Sequence, residues 1–143
     1  MTRGRWLRVG LAFEAVAFAL VGFWAAFAPR SFYTDFPGGG RRWIAVDGPF
    51  NEHLVRDVGE LSLGLLVVLM AALVTMSMPL VRASLLAVIV NGGLHAAYHA
   101  RHLDVLSSAD GAAVIGSLVL GPIVALVLLL VTRPNAWRPK ERV

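Results

Sequence analysis

The sequence is poor in two kinds of residue, cysteine and charged residues, and each shortage excludes a class of protein. There is no cysteine among the 143 residues, which excludes disulfides, thiolate metal sites and dithiol redox chemistry. Charged side chains make up only 15% of the chain. The mean hydropathy is +0.70, outside the range of soluble globular proteins. Together these values predict a membrane protein.

Four apolar runs account for most of the chain, at about 7–28, 52–76, 81–103 and 109–132. Each is close to the roughly 20 residues that a helix needs to cross a hydrocarbon core of about 30 Å. We therefore expect one all-α domain over residues 1–143, an integral membrane bundle of four transmembrane helices with an outer loop at 29–51. Little chain remains for a soluble catalytic domain. The sequence pI of about 10.7 therefore indicates arginines at a membrane surface, and no nucleic-acid partner is expected.

Basic residues near the ends of the apolar runs predict the orientation. With both termini in the cytoplasm, most basic side chains lie inside: Arg3, Arg5, Arg8, Arg82, Arg133, Arg138, Lys140 and Arg142. Fewer lie outside: Arg30, Arg41, Arg42 and Arg101. This predicts a multi-pass protein of the inner (plasma) membrane with both termini cytoplasmic. The lipid bilayer is its expected partner, and a homo-oligomer or a larger membrane complex stays open.

The connection at 29–51 is longer than the about 2–8 residues that join helices in a bundle. It carries aromatic rings typical of a membrane interface, Trp43 among them, and the glycines Gly38, Gly39 and Gly40. A short surface helix and a turn over the bundle mouth would use these features, either as an interfacial anchor or as a lid. At its end Asn51 is an expected N-cap, and Ser107 with Asp110 forms a capping-box pattern before the last run.

Two of the runs carry a stripe of polar side chains. In "NGGLHAAYHARHLD" the histidines project within an arc of about 60°, which the other polar residues widen to about 100°; this stripe consists of Asn91, His95, Tyr98, His99 and His102. The second run carries another arc of about 100°, formed by His53, Arg56, Asp57 and Glu60. Because ionisable groups are costly in a membrane, we expect both stripes to face the bundle interior and each other. Small residues would let the helices approach closely, namely Gly64, Gly92 and Gly93.

The leading interpretation of the stripes is an outward-opening metal site. His95 and His99 have the i, i+4 spacing that places two imidazoles on one helix face, and Asp57 or Glu60 would complete the ligand set, with His53 and His102 nearer the surface. Imidazole with carboxylate suits zinc, copper or non-haem iron. A haem is not favoured, because the partner histidine outside this segment, His53, lies at the surface.

Glu14 supports a different hypothesis, a proton or ion relay. By helix rise it lies about 21 Å from the outer surface, level with Asn91, and a carboxyl there must be protonated or paired. A relay would use Glu14, Asn91, Glu60 and the histidines. A membrane enzyme acting on a lipophilic substrate and an accessory subunit without chemistry are further alternatives, so enzymatic activity stays open.

Structural roles are the competing interpretation for several of these residues. Arg56 beside Asp57 and Glu60 would be an internal ion pair, and Asn91 and Tyr98 would make interhelical hydrogen bonds. Glu14 would be a protonated carboxyl that is hydrogen-bonded to Asn91.

The layout of the whole chain resembles the DoxX-like group of small bacterial membrane proteins: four helices, a long first outer connection and a tight inner turn near Pro79. The likeness covers nearly all residues and implies a four-helix membrane fold. It carries no motif that could be placed residue by residue, so it implies no site residue.

Overall fold

The computed structural model describes residues 3–132, and its regular structure is entirely helical over that range. The helices are α1 (Arg3–Phe27), α2 (Pro29–Asp35), α3 (Glu52–Thr75), α4 (Met78–His99) and α5 (Ser108–Val131). Four of them, α1, α3, α4 and α5, are long and apolar enough to cross a membrane by length and composition. The short α2 lies inside the long connection. The all-α architecture with four membrane-length helices is therefore as predicted.

The helix starts follow from local hydrogen bonds. The Asn51 side chain accepts a hydrogen bond from the Leu54 N–H at 3.2 Å, and Ser107 Oγ accepts one from the Asp110 N–H at 3.1 Å. Both predicted N-caps are confirmed. Some boundaries differ by three or four residues: α1 begins at Arg3 and α4 at Met78, both earlier than expected, and α4 already ends at His99, which leaves His102 in the connection to α5. The basic residues Arg133, Arg138, Lys140 and Arg142 lie outside the described residues.

The four long helices are arranged as two closely packed pairs, α1 with α3 and α4 with α5. In the first pair a Cβ atom at Gly59 would lie within 3 Å of the Ala26 backbone. In the second, a Cβ atom at Gly92 would overlap the Pro122 ring. Contact between α3 and α4 and between α1 and α5 is narrower. Glycine thus sets the closest approach within each pair, as small residues do between membrane helices.

Three glycines were expected to let neighbouring helices approach closely, and the structure confirms this role for one of them. Gly92 lies against Pro122, as predicted, whereas Gly64 and Gly93 have open space where a Cβ would be. The prediction is wrong for these two, because the faces on which they lie are not covered by a neighbouring helix.

Three arginines stabilise the C-terminal ends of neighbouring helices. Arg8 donates to the Leu73 carbonyl at 3.3 Å, Arg56 to the Ala26 carbonyl and Arg82 to the Thr132 carbonyl. The last carbonyls of a helix lack intrahelical donors and carry the negative end of the helix dipole. Each arginine therefore supplies a missing donor and a favourable charge across a helix pair.

The apolar core is divided along the bundle. At the end where α3 and α4 turn (the turn end), all four long helices contribute buried residues, with Leu11, Leu69, Leu85 and Leu128 among them. At the opposite end (the loop end), a second cluster consists of Ala25, Phe32 and Val55, with partly buried side chains from α1, α2 and the connection around them. No residue of α4 or α5 belongs to that second cluster. The part of α4 that carries the histidines is therefore less covered than its other half.

Candidate functional site

The structure does not bring the two polar stripes together. Among residues 3–132, no group of three or more histidine, aspartate or glutamate side chains is placed to hold a metal. The expected site that combined His95 and His99 with Asp57 or Glu60 is therefore not formed. The reason lies in helix pairing, because α3 packs mainly on α1 and α4 on α5, so the two stripes have no shared interface.

The stripe on α3 is instead directed to the surface. His53 Nδ1 lies 3.5 Å from Asp57 Oδ1, with 84% and 41% of the two side chains exposed, and Glu60 is exposed as well. Arg56 pairs with Glu52 at 2.8 Å, so the expected ion pair with Asp57 and Glu60 is wrong. His53 and Arg56 thus pair with acidic side chains at i, i+4 spacing on their own helix.

On α4, two histidines of the other stripe are in direct contact. His95 Nε2 lies 3.1 Å from His99 Nε2, and the ring centroids are 4.9 Å apart. His99 is only 9% exposed, and its buried Nδ1 has no hydrogen-bond partner among the described residues. His95 is exposed at the open side of α4. The contact joins one buried imidazole to one that is accessible.

Tyr98 and His102 form a stacked aromatic pair at the end of α4, and the Tyr98 ring also lies edge-on to His99 at a centroid distance of 5.3 Å. The rings of Tyr98 and His102 stack at a centroid distance of 4.3 Å, and His102 Nδ1 donates to the Tyr98 carbonyl at 2.8 Å. Tyr98 is 52% exposed, and its hydroxyl makes no hydrogen bond to another described helix. The predicted interhelical role of Tyr98 is therefore wrong, and His102 has one ring nitrogen occupied locally.

The connection between α2 and α3 lies across the loop end and is anchored on α5. Asp110 accepts a hydrogen bond from Trp43 Nε1 at 2.9 Å and from Ser107 Oγ at 2.8 Å, and it pairs with Arg41 at 3.2 Å. In the sequence Asp110 was recognised only as part of a capping box, and its role as the anchor has no local signal.

Glu14 lies in the interior of the bundle, 1% exposed. A Cβ atom at Gly121 would lie 3.1 Å from Glu14 Oε2, so the carboxyl faces α5. Glu14 Oε1 is buried without a hydrogen-bond partner in the described part of the chain. Since Gly92 touches Pro122, Glu14 is level with Asn91 as expected. Asn91 is nevertheless exposed, and the expected hydrogen bond between the two is absent from the described contacts.

The three comparisons with known proteins, against family models, curated proteins and solved structures, found no match. The resemblance to the DoxX-like group therefore stays a prediction based on layout. Function has to be inferred from two places in this structure, the contact between His95 and His99 and the buried carboxyl of Glu14.

Proposed function

We propose that the protein is a multi-pass protein of the plasma membrane that binds a transition-metal ion through His95 and His99, at a site open to the outer side. The proposed orientation follows the distribution of basic residues, with both termini in the cytoplasm and the loop end outside. The observation that carries the proposal is the 3.1 Å separation of the two Nε2 atoms. Four helices of membrane length support the insertion.

The separation suits two ligands of one ion. Zinc binds imidazole nitrogen at about 2.0–2.1 Å, and a tetrahedral angle then places two such nitrogens about 3.3 Å apart. The observed 3.1 Å differs from this value by an amount that small side-chain rotations can supply. Both rings also project from one continuous helix, so the backbone holds them in position before an ion arrives.

Two imidazoles leave half of a tetrahedral shell to water or to another molecule. Structural zinc sites are closed by four protein ligands, whereas catalytic sites keep an open position. A site with two protein ligands is therefore suited to the exchange of an ion and unsuited to a structural role. Imidazole ligands favour zinc, copper, iron and nickel, and copper(II) has the highest affinity among the divalent ions.

Metal binding is preferred to a relay because His95 and His99 touch, whereas the other groups that a relay would use, Glu14, Glu60 and Asn91, have no hydrogen bond to them or to one another among the described contacts. Glu60 and Asn91 are exposed on different helices, and Glu14 faces α5. A relay along the stripes would need a continuous chain of donors and acceptors, and these positions do not supply one.

The test is a titration of the purified full chain with copper(II) and, separately, with cobalt(II), whose visible absorption reports tetrahedral coordination. His95→Ala and His99→Ala each remove half of the protein ligands, so affinity should fall more than the about 10–100-fold typical of losing an outer-shell partner. His102→Ala is the matched control, an imidazole near the same helix end that lies outside the pair.

We expect the wild type to bind one ion per chain. This binding should be lost in His95→Ala and in His99→Ala, the two pair variants, and retained in His102→Ala. Three results would overturn the proposal: no saturable binding by the wild type, equal binding by the wild type and the two pair variants, or an equal loss in the control. In any of them the contact is a histidine–histidine hydrogen bond that only stabilises the end of α4.

A further inference from the structure

The two helix pairs meet along a narrow line between α1 and α5, here called the α1–α5 seam. Two contacts define it. A Cβ atom at Gly10 would overlap the Leu128 side chain, and one at Gly121 would lie 3.1 Å from Glu14 Oε2. The pairs are joined elsewhere mainly through α3 and α4 near their turn. Compared with the packing inside each pair, the seam has little contact to lose if the pairs separate.

Glu14 is the polar side chain that the seam encloses. With 1% exposure and Oε1 without a partner, the carboxyl has neither water nor a described donor to stabilise a negative charge. Burying an unpaired carboxylate is far more costly than burying a neutral acid. The closed seam therefore accommodates the protonated form, and the ionised form requires water or a donor that the closed seam does not offer.

No charged side chain of the described helices compensates for Glu14. The other ionisable residues of these helices are concentrated toward the helix ends: Arg3, Arg5 and Arg8 on α1; Arg30, Tyr33 and Asp35 on α2; Glu52, His53, Arg56, Asp57 and Glu60 on α3; Arg82, His95, Tyr98 and His99 on α4; and Asp110 on α5. His95 is the nearest of these in level, one helical turn beyond Gly92, yet its ring contacts His99. Asp110 is about 16 Å along α5 from Gly121 by helix rise.

The segment of α5 opposite Glu14 is locally weakened. Pro122 lies inside the helix and has no N–H to donate to the Leu118 carbonyl, and a proline at such a position is the usual cause of a helix bend. Gly121 beside it costs about 1 kcal/mol of helix stability relative to alanine. A change at Glu14 therefore acts on the part of α5 that deforms most readily.

We propose that Glu14 is a proton-binding site that latches the α1–α5 seam. With a proton bound, the neutral carboxyl lies closed against Gly121 and the two helix pairs stay together. When the proton leaves to water, the charged carboxylate requires hydration and the pairs separate along the seam. Return of the proton closes it. This step is independent of the metal site on α4.

The experiment measures the distance between the helix pairs as a function of pH. Because the chain has no cysteine, spin labels attach only at introduced ones. Met70→Cys on α3 and Ile123→Cys on α5 are suitable sites, being 43% and 54% exposed. Pulsed EPR in lipid nanodiscs would be run on the labelled wild type, Glu14→Gln and the control Glu60→Gln, which removes an exposed carboxyl.

We expect two distance populations in the wild type, with the longer one growing at alkaline pH. Glu14→Gln should keep the short population at every pH, because an amide cannot ionise, and Glu60→Gln should behave as the wild type. A distance that does not change with pH, or a change that survives in Glu14→Gln, would overturn the proposal. The affinity for metal should be the same in Glu14→Gln as in the wild type. A failure of this proposal can therefore be distinguished from a failure of the proposed metal site.

A second measurement keeps the proposal testable if Glu14→Gln does not fold. The C=O stretching band of a neutral carboxyl, identified by its shift in D2O, should remain in the Glu60→Gln protein at a pH where exposed carboxyls, with pKa values of about 4, are already ionised. It should disappear at alkaline pH in parallel with the growth of the long-distance population. A band that persists while the distance changes, or one that disappears without any change in distance, would show that Glu14 is not the latch.

Discussion

Replacing Gly59 by alanine tests whether glycine sets the distance between α1 and α3. An alanine Cβ at this position would overlap the Ala26 nitrogen and lie 2.8 Å from the Ala26 Cα, whereas non-bonded heavy atoms prefer about 3.5–4.0 Å. The obstacle is backbone, so no side-chain rotation can relieve it. The two helices would have to separate by about 1 Å, which would also disturb the hydrogen bond from Arg56 to the Ala26 carbonyl.

The expected loss of stability is best expressed as the difference between Gly59→Ala and a matched variant. Gly64 lies on the same helix with open space around its Cβ position, so Gly64→Ala gains helix propensity of up to about 1 kcal/mol and loses no contact. Gly59→Ala gains the same propensity but incurs an overpacking cost of about 1–3 kcal/mol. The gain in helix propensity is the same in both variants, so it cancels when their stabilities are compared. We therefore expect Gly59→Ala to be less stable than Gly64→Ala by about 1–3 kcal/mol.

Reversible unfolding in mixed micelles, followed by the far-UV circular dichroism of the helices, would measure both variants against the wild type. The reasoning is refuted if Gly59→Ala is as stable as Gly64→Ala, because the close approach of α1 and α3 would then not depend on glycine. An equal loss of stability in both variants would also refute it, since Gly64 has no neighbour to displace.

Two further predictions concern the loop end. Cysteines introduced singly at Gly39 and Asp104 should react with an impermeant thiol reagent from outside intact cells, whereas one at Met78 should not; the reverse labelling would invert the proposed topology. Asp110→Asn should weaken the anchor of the connection, because the amide lacks the charge that attracts Arg41 and attracts the Trp43 N–H more weakly. Trp43 fluorescence should then shift toward the emission of an exposed indole, and an unchanged spectrum would show that this hydrogen bond does not hold the loop.

The positions of the helices could be predicted from the sequence because the features that determine them are local. Runs of about 20 apolar residues determine where membrane-length helices lie, and the side chains of Asn51 and Ser107 cap the helices that they precede. The end of α4 at His99 was placed too late, since Leu103 continues the apolar pattern while Arg101 and His102 do not. These features involve residues within a few positions of one another, and no distant partner is needed to define them.

Side-chain direction within one helix was also predictable, and it accounts for the part of the site that was predicted correctly. The spacing of four residues between His95 and His99 places both rings on one face, and the structure shows them in contact. The same rule gave the stripe on α3, whose His53 and Asp57 pair along the helix. Helical periodicity determines which residues share a face of their own helix.

Periodicity does not determine which neighbouring helix that face contacts, because this depends on how the helices pack. The expectation that the two stripes oppose each other assumed that helices consecutive in the chain are the closest partners. The closest approaches instead join α1 to α3 through Gly59 and α4 to α5 through Gly92, because glycine allows backbones to approach where a stripe of larger side chains does not.

An all-α chain with four helices of membrane length, the N-caps of α3 and α5 and the shared helix face of His95 and His99 were thus predictable without knowledge of the packing. The tertiary structure decided that Glu60 is exposed while Glu14 is enclosed opposite Gly121, and that the connection is anchored on Asp110. The physical reason is the range of the interactions. Caps and i, i+4 contacts are complete within one helix, whereas the surroundings of a side chain depend on residues more than 60 positions away that only packing brings together.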